Sequence, residues 1–291
     1  MTISTKSEKI AVILLNYNCA LDCLAFLESL NKYENNYTVY IVDNDSRASD
    51  LSILEQSSYN FILVKSLDNG GYAKGNNIGI SRAIADGFNY ILLANADTRI
   101  FIPNTLKKLQ QGLIGENANI IGPELITTSG DIDSGVIISN KYGLTRRTSK
   151  YATSMADSII GAFWMITSQT IKTFGYIPEE YFLYREETDY MERITENGGK
   201  IIYYPTVKVI HDHGKTTGSV WDYYFNRNTI LFAKNKNQVS DLQIGIFHFA
   251  KTVYITSLIA LGLNKRTDKW KAIKLTWKGL IDGICNKTGQ M

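Results

Sequence analysis

The sequence is poor in cysteine and proline, and it has no long uninterrupted apolar run. Its 291 residues include three cysteines and four prolines. Three thiols that form neither an even set nor CxxC pairs argue against a disulfide framework and a zinc-cysteine site, and they favour a reducing compartment. The most apolar stretch, Leu242 to Leu263, is interrupted by His248 and Lys251, which argues against a membrane-spanning helix. We therefore expect a chain that folds throughout without cross-links.

Two common nucleotide-binding fingerprints are also missing. The glycine-rich stretch Asn69 to Asn77 has neither the GxGxxG spacing of dinucleotide-binding domains nor the Lys-Ser/Thr ending of a P-loop. The sequence therefore disfavours a dehydrogenase and an NTPase. The lack of an N-terminal glycine-rich loop with Arg and Lys disfavours a sugar nucleotidyltransferase. The polar residues Met1 to Lys9 leave no room for the apolar segment of a secretory signal, so we expect a cytoplasmic protein.

Short apolar runs alternate with amphipathic stretches in the first hundred residues. The pattern predicts strands Ile10 to Asn16, Val39 to Asp43, Phe61 to Val64 and Tyr90 to Ala94, and helices Leu21 to Leu30 and Gly75 to Ala85. This βαβ rhythm predicts an α/β fold with a Rossmann-like, mostly parallel central sheet and flanking helices. Later signals predict a hairpin around Asp131 to Ser139, a segment Ile159 to Thr167 that ends in a helix start, and strands Ile201 to Tyr204 and Val207 to Ile210.

Polar residues follow three of the predicted strands directly. They are Asn16-Tyr17-Asn18, Asp43-Asn44-Asp45-Ser46 and Asn95-Ala96-Asp97. Ligands of open α/β sheets gather beyond the carboxyl ends of the strands, so these clusters predict one crevice, although Asp and Asn are also ordinary turn formers and helix caps. The glycines of Asn69 to Asn77 would let backbone amides approach an anion at a helix N-terminus, and a simple flexible turn is the other interpretation.

Three carboxylates crowd the start of a further predicted helix. Glu186, Glu187 and Asp189 precede a helical stretch closed by two glycines. Acids at a helix N-terminus stabilise it by about 0.3 to 1 kcal/mol each, so the cluster fits a well-started helix as well as a catalytic site. His211 ends a predicted strand, where a lone histidine is usually structural.

Taken in order, these motifs resemble the inverting family-2 glycosyltransferases of the GT-A fold, especially a bacterial branch rich in rhamnosyltransferases. The resemblance extends over nearly the whole chain. The matching stretches are Asn16 to Asn18, Val42 to Asn44, Asn69 to Asn77, Asn95 to Asp97, Gly161-Ala162, Phe182 to Asp189, Val209 to Gly214 and Arg227-Asn228. The resemblance implies a catalytic domain, 1–235, with a nucleotide-binding half, about 1–100, and an acceptor half, about 101–235. A helical C-terminal appendage, 236–291, follows it.

The resemblance also implies a nucleotide-diphosphosugar donor in the crevice. The residues implied at this site are Asn16, Tyr17, Asn18, Asp43, Asn44, Asn69, Gly71, Lys74, Asn76, Asn95, Ala96, Asp97 and Arg227. Asp43 would accept a hydrogen bond from the base imide, which suits uracil or thymine. Lys74 and Arg227 are candidates to face the diphosphate, and Arg227 is preferred because arginine makes bidentate contacts with phosphate oxygens.

A divalent cation, Mg²⁺ or Mn²⁺, is implied by the same resemblance. Asp97 looks like the last acid of a DxD motif and His211 like its partner ligand, and the imidazole favours Mn²⁺. Asn95 stands where the motif has its first aspartate, which predicts a modest metal affinity.

The catalytic residues implied are the acids before the glycine pair. Glu187 matches the position of the general base, although the family usually has aspartate there; Glu186 is the alternative, and Asp189 would support the helix or the acceptor. Beside the sugar and acceptor the resemblance implies Gly161 and Ala162, with Trp164 either as a wall for the sugar ring or as a core residue.

The C-terminal region carries most of the positive charge. From Asn264 onward there are seven Lys/Arg against two Asp, while the whole chain has a formal net charge of +3. Apolar and basic residues recur on separate faces of a predicted amphipathic helix, Lys269 to Ile284: Trp270, Ile273, Trp277, Leu280 and Ile284 on one, Lys271, Lys274 and Lys278 on the other. Such a helix either lies on an anionic membrane surface, near a lipid-linked acceptor, or packs on the domain.

The resemblance implies an inverting transferase that moves L-rhamnose from dTDP-rhamnose onto a glycan or lipid-linked acceptor in cell-surface polysaccharide synthesis, such as an O-antigen. A UDP-hexose (galactosyl or glucosyl) transferase is the nearest alternative. A catalytically silent nucleotide-sugar binding or scaffold protein is the second, which the departure at Asn95 keeps open. No nucleic-acid partner is expected, because no nucleic-acid-binding motif is present. The expected location is the cytoplasm, with peripheral contact to the inner membrane through the C-terminal helix.

Overall fold

Alternating strands and helices build the first half of the fold. In the computed structural model, which describes residues 8–133, 135–148, 152–212, 219–263 and 267–291, they are β1 (Ile10–Asn16), α1 (Ala20–Tyr33), β2 (Tyr37–Asp43), α2 (Ala48–Glu55), β3 (Ile62–Lys65), α3 (Gly71–Ala85) and β4 (Tyr90–Ala94). β1 and β4 have the bounds that the apolar runs predict. α3 begins four residues before its predicted start, because the end of the glycine stretch is itself helical.

The second half has shorter strands and more helices. In chain order it contains β5 (Thr98–Arg99), α4 (Thr105–Gly115), β6 (Ile120–Ile126), β7 (Val136–Ser139), β8 (Thr145–Thr148), β9 (Ser154–Ala156), β10 (Ser158–Ile159), β11 (Phe163–Thr167), α5 (Ser168–Phe174), a single 3-10 turn (Glu179–Tyr181), α6 (Glu186–Glu196), β12 (Ile201–His211), α7 (Ser219–Lys236), α8 (Asp241–Ala260) and α9 (Lys269–Ile284).

Two predicted features of this half are corrected. The two strands expected at 201–210 form the single strand β12, whose pairing with β6 shifts register between Tyr204 and Lys208. Pro205, which lacks an amide hydrogen, lies within this irregular part and explains why the pattern looked like two strands. The hairpin expected around 131–139 lies further along the chain, where β7 pairs with β8.

The described strands form one large sheet and one small one. The large sheet has the order β3-β2-β1-β4-β11-β6-β12-β5, with β9 also paired to β12, and β10-β7-β8 form the small sheet. β1 to β4 are mutually parallel, while β11 lies antiparallel between β4 and β6, so that β6 and β12 run in the same direction as β4. The predicted mostly parallel sheet is therefore confirmed, with β11 joining its two halves.

The core lies on both faces of the large sheet. Alternate residues of β1 face opposite sides of the sheet. Val12 and Leu14 pack in a cluster with α1 and α4, whereas Ala11 and Ile13 pack in a cluster with α3 and α6. Every residue of β1 except Leu15 is buried, as expected for a strand covered by helices on both sides. Helices on both faces leave the strand ends as the place for a site.

The three C-terminal helices α7, α8 and α9 pack on one another. Two glycines of α9 allow a close approach to α7, since a methyl group at Gly279 would lie 2.6 Å from the carbonyl oxygen of Tyr223, and one at Gly283 would lie 3.0 Å from that of Arg227. Among the described helices, α8 alone is long and apolar enough to cross a membrane by length and composition. One face of α9 thus packs on α7, while Trp270, Lys271 and Lys274 on its other side are exposed.

Candidate active site

Asn16 organises the carboxyl end of β1. It pairs across the sheet with Asp43, and its fully buried amide nitrogen donates to Asp43 Oδ1 at 2.8 Å and to Asp50 Oδ2 at 2.9 Å. Its amide oxygen accepts from the backbone N–H of Cys19 at 3.2 Å. Both ends of the amide are thus used inside the protein, so Asn16 positions Asp43, and its contact with a nucleotide stays a prediction.

Other residues of the same strand ends lie nearer the surface. Tyr17 is half exposed, and Asn18 has a left-handed backbone (φ 55°) with its side-chain oxygen accepting from the backbone N–H and Nε of Arg47 at 3.0 and 3.1 Å. Asp43 Oδ2 accepts from the backbone N–H of Ser46 at 3.3 Å. Tyr17 therefore leaves an aromatic face exposed at the strand end where the base is predicted.

The glycine stretch is tied to the end of β2 by Asn44. The buried Asn44 amide donates to Asn69 Oδ1 at 2.9 Å and to the carbonyl oxygen of Gly71 at 3.1 Å. Gly71 has φ +82°, and a methyl group on it would lie 2.1 Å from the carbonyl oxygen of Phe182. Only glycine fits this close approach, which brings the start of α3 against the segment that precedes α6.

Two further predicted donor residues have partners within α3 and its approach. Lys74 forms an exposed ion pair with Asp68 at 2.7 Å, and the buried amide of Asn76 donates to the carbonyl oxygen of Tyr72 at 2.9 Å. Asn76 therefore stabilises the first turn of α3. Contact of Lys74 with a diphosphate stays a prediction.

The segment 181–185, which leads into α6, has an unusual backbone. Phe182, Tyr184 and Arg185 all have positive φ (66°, 69° and 84°), a conformation that costs a residue other than glycine about 1 to 3 kcal/mol. The buried amide of Asn228 in α7 donates to the carbonyl oxygens of Tyr181, Leu183 and Tyr184 at 2.9, 2.7 and 2.9 Å. Packing from α7 therefore holds this strained segment in place.

Arg227, next to Asn228, is wrong as a diphosphate ligand. Its side chain is fully buried, and its guanidinium donates to the carbonyl oxygens of Tyr181 at 2.6 Å and Gly289 at 2.7 Å. It also lies over the rings of two tyrosines, Tyr223 and Tyr224. The hydrogen-bond donors of Arg227 are thus used inside the protein, where they support the 181–185 segment and cannot reach a phosphate.

Glu186 and Glu187 at the start of α6 have different surroundings. Glu186 is buried, and among the described residues its Oε2 has no hydrogen-bond partner; burial, followed by the charge of Glu187, raises its pKa well above the usual range. Glu187 is only half-buried, and burial also raises its pKa. Burial raises the pKa of Asp189 to about 7. Of the adjacent pair, Glu187 has the side chain that a ligand can reach.

Glu187 lies against the residues that precede β11. A methyl group at Gly161 would lie 2.6 Å from Glu187 Cγ, so the missing side chain makes room for the carboxylate. The carbonyl oxygen of Gly161 accepts from Tyr72 Oη at 2.7 Å and from Trp164 Nε1 at 3.2 Å. Trp164 is fully buried in the core against Tyr190, so the core interpretation is correct and a role as a sugar-binding wall is wrong.

Asp97 and His211 meet because β5 pairs with β12. His211 is opposite Thr98 in the ladder, and its Nε2 lies 3.6 Å from Asp97 Oδ1. On the other side, His211 Nδ1 lies 2.9 Å from Asp133 Oδ2, and Arg147 forms an ion pair with the same aspartate at 3.1 Å. A carboxylate that accepts from Nδ1–H fixes the imidazole so that Nε2 faces Asp97.

This donor set fits a divalent cation held jointly with a ligand. One carboxylate and one imidazole nitrogen suit Mn²⁺ or Mg²⁺, and the described residues contain no group of three or more His, Cys, Asp or Glu side chains that could hold a metal alone. Most coordination positions would therefore fall to phosphate oxygens and water. His213 and Gly214, the last residues of the matching stretch Val209 to Gly214, lie outside the described part of the chain.

The remaining predicted residues connect the two groups. The backbone N–H of Asn95 donates to the carbonyl oxygen of Ala162 at 2.8 Å, and the backbone N–H of Asp212 donates to that of Asp97 at 3.0 Å. Ala96 and Ala162 are both buried. The hydrogen bond between 95 and 162 places the strand end that carries Asp97 beside the stretch that contacts Glu187.

Sequence reasoning missed Tyr72, Asp133 and Asn228 as parts of this arrangement. Tyr72 was visible in the glycine stretch but had no assigned role. Asp133 lies 78 residues from His211 in a region with weak periodicity, so no local pattern pointed to it. The site as a whole offers a half-buried carboxylate, a carboxylate–imidazole pair and a glycine-rich loop, which suit proton transfer beside a bound anionic group.

Comparison with known proteins agrees with this chemistry. The profile of the family described as Glycosyl transferase family 2 matches residues 11–172. The dTDP-rhamnosyl transferase RfbF of Shigella flexneri is 26% identical over 300 residues, covering 97% of this chain and 98% of that protein. The low-salt glycan biosynthesis hexosyltransferase Agl10 of Haloferax volcanii is 24% identical over 302 residues, covering 98% and 94%.

Solved structures share the fold. GalNAc-T7, solved with UDP, GalNAc and Mn²⁺, has a TM-score of 0.63 at 12% identity over 93% of this chain; the match spans about half, 54%, of that chain. The mannosyltransferase PcManGT from Pyrobaculum calidifontis, solved with GDP-Man and Mn²⁺, has a TM-score of 0.61 at 13% identity, covering 96% and 88%. These likenesses confirm the predicted GT-A fold.

Proposed function

This chain belongs to glycosyl transferase family 2, and from that premise we propose that it transfers L-rhamnose from dTDP-rhamnose, with inversion, onto a hydroxyl of a glycan. Membership makes it a nucleotide-sugar glycosyltransferase of the hexosyltransferase class. The choice of rhamnose is supported by the likeness to a dTDP-rhamnosyl transferase along almost the full length of both chains.

The observation that carries this proposal is the position of Glu187. Its side chain fills the space left by Gly161, and the neighbouring Ala162 is bonded to Asn95, two residues before Asp97. This connection supports the proposal that Glu187 acts beside the carboxylate–imidazole pair. Burial raises the pKa of Glu187, which makes its ionised form a stronger base than an exposed glutamate.

The proposed reaction is a single displacement. Glu187 accepts the proton of the acceptor hydroxyl as that oxygen bonds to the anomeric carbon on the face opposite the nucleotide. The bond from the anomeric carbon to the phosphate oxygen breaks, and its electron pair leaves with the diphosphate. Glu186 is buried, which raises its pKa, and it supports the start of α6.

Asp97 and His211 are the residues that would hold a divalent cation, Mg²⁺ or Mn²⁺. The chemistry such a cation supplies is neutralisation of the negative charge on the leaving diphosphate. Asp133 keeps His211 Nε2 oriented toward Asp97. Replacement of Asp97 or His211 by alanine is expected to weaken Mn²⁺-dependent dTDP binding in calorimetry, and unchanged binding would remove that residue from the site.

The adjacent glutamates allow a sharp test of the base. Glu187→Gln should lower kcat by about 100-fold to 10,000-fold, the contribution of a general base, with dTDP affinity unchanged. Glu186→Gln is the matched control: Glu186 is buried beneath the site and glutamine has nearly the same shape, so this variant should keep most of its activity. If Glu187→Gln were fully active and Glu186→Gln inactive, Glu186 would be the base and Glu187 the supporting residue.

The donor is tested by calorimetric binding of dTDP, UDP and GDP with and without Mn²⁺. Tighter Mn²⁺-dependent binding of dTDP, followed by turnover of dTDP-rhamnose, is the expected result. A preference for UDP would favour the second candidate, a UDP-hexose transferase, to which the likeness to a glycan hexosyltransferase lends support. Failure to bind any of the three nucleotides would contradict the donor site itself.

We further propose that the acceptor is a lipid-linked saccharide of a surface polysaccharide such as an O-antigen, reached from the cytoplasmic face of a membrane. We propose that the catalytic domain extends over 1–235 and the helical appendage over 236–291. The contacts of Arg227 and Asn228 with the 181–185 segment support assigning α7 to the catalytic side of this division.

A further inference from the structure

The helix α8 buries several polar side chains and exposes several large apolar ones. Its buried side includes His248, Thr252 and Thr256, where His248 Nε2 bonds to the carbonyl oxygen of Tyr142 at 2.9 Å and Thr252 Oγ1 accepts from Asn226 at 3.2 Å. Its outer side carries Leu242, Ile246, Phe249 and Val253, which are 73%, 61%, 53% and 40% exposed. Helices on the surface of soluble proteins have the opposite arrangement.

These four residues form a continuous stripe. Their spacing of four, three and four positions places them on one face of α8, and we call them the outer stripe. Apolar exposure continues beyond the helix at Leu261, Leu263 and Trp270, the last of which is 81% exposed. Such a run of large apolar residues in water marks an interaction surface.

Basic residues lie where the end of α8 meets the start of α9, around the exposed Trp270. The end of α8 is close to the start of α9, since a methyl group at Gly262 would lie 3.1 Å from Lys269 Nζ. On α9, Lys271 and Lys274 are exposed on either side of the buried Ala272. The buried Asp282 is neutralised by Lys278 at 2.6 Å and by another lysine, Lys287, at 2.8 Å. The exposed Lys271 and Lys274 therefore place positive charge beside Trp270, at one end of this apolar surface.

We propose that the outer stripe and Trp270 dock on the surface of an anionic lipid bilayer. An apolar stripe enters the boundary between headgroups and acyl chains, while the neighbouring lysines attract anionic headgroups. The opposite side of α8 is packed on the protein through His248 and Thr252, so the helix lies along the membrane and does not cross it. This inference rests on the proposed lipid-linked acceptor, to which it gives the enzyme access.

Charge decides between a bilayer and a second copy of the chain. A second copy of the chain on this surface would add another set of the same lysines, and like charges oppose such pairing. An anionic surface meets the same lysines with opposite charge. Bilayer contact therefore satisfies both the apolar and the basic part of this surface.

The test is co-sedimentation of the full chain with vesicles of phosphatidylcholine, alone or mixed with phosphatidylglycerol. The variant Ile246→Ser/Phe249→Ser should bind the mixed vesicles at least about 100-fold more weakly, since each buried apolar side chain contributes about tenfold or more. The matched control is Ile114→Ser/Met155→Ser, which changes two exposed apolar residues on α4 and β9 and should bind as the wild type does. Lys271→Glu/Lys274→Glu should remove the preference for phosphatidylglycerol.

Two outcomes would overturn the proposal. One is equal vesicle binding by the outer-stripe variant and the wild type. The other is a wild-type dimer in analytical ultracentrifugation that the outer-stripe variant abolishes, which would assign the stripe to a second copy. Binding of dTDP, measured without lipid, tests the proposed function separately. Absence of nucleotide binding would contradict the proposed function, whereas the vesicle result tests only the docking surface.

Discussion

Replacing Asn228 by alanine removes the side chain that holds the segment in front of the catalytic carboxylates. Its amide nitrogen reaches three carbonyl oxygens, but it has two hydrogens, so two full bonds and one shared contact are lost. A buried carbonyl left without a partner costs about 1 to 3 kcal/mol, and we expect a loss of about 2 to 4 kcal/mol in the free energy of unfolding.

The same change should reduce catalysis. Without the amide, the positive φ angles of Phe182, Tyr184 and Arg185 are no longer compensated, and the segment relaxes. Glu187 follows this segment by two residues, and a displacement of about 1 Å at a reacting group lowers kcat by about 100-fold. The assay is kcat and KM for transfer from dTDP-rhamnose, with urea unfolding measured in parallel.

Asn226→Ala is the matched control on the same helix. Asn226 is also buried, but its amide donates to the carbonyl oxygen of Thr276 at 2.9 Å and to Thr252 at 3.2 Å, away from the 181–185 segment. It should lose a comparable free energy of unfolding while kcat stays near the wild-type value. Wild-type kcat in Asn228→Ala would refute the reasoning and leave Arg227 as the residue that holds the segment.

Three further predictions concern space, proton uptake and charge. Gly161→Ala places a methyl group 2.6 Å from Glu187 Cγ, so kcat should fall while calorimetric dTDP affinity stays unchanged; normal kcat would show that Glu187 can move without loss. Burial raises the pKa of Glu187, and only its ionised form accepts a proton. On acidification, kcat should therefore fall at a higher pH than it would with an ordinary glutamate as the base. The measurement is a pH profile of kcat at saturating substrate. Burial opposes ionisation of Asp282, but hydrogen bonds from Lys278 and Lys287 outweigh this effect and lower its pKa to about 2. The stability that the ionised Asp282 adds is therefore present above the ordinary aspartate pKa and is lost as the pH falls toward 2. In Asp282→Asn, the urea midpoint should depend less steeply on pH.

The strands of the first half were predictable because their signal is local. β1 and β4 are apolar runs that end at polar residues, and the structure keeps both bounds. The meeting of Asn16 and Asp43 follows from parallel pairing at one sheet edge. β12 was harder, because Pro205 interrupts the pattern that a single strand would have given.

The partners of buried polar side chains could not be predicted in this way. Arg227 has the chemistry of a phosphate ligand, but the carbonyl oxygens of Tyr181 and of Gly289, which follows α9, accept its hydrogen bonds in the interior. Asp133 reaches His211 through the fold alone. For α8, the apolar content was visible in the sequence, but which side faces outward depends on packing against α7 and α9, which no periodicity specifies.

β11 has a consequence for how the molecule moves. It is hydrogen-bonded to β4 on one side and to β6 on the other, so the predicted donor and acceptor halves share one uninterrupted sheet. Bending the sheet at β11 would break several backbone hydrogen bonds at once. Closure of two domains about a hinge loop breaks no such bonds. Conformational change during turnover should therefore be confined to segments off the sheet, and a crosslink between β4 and β6 should leave the rate of turnover intact.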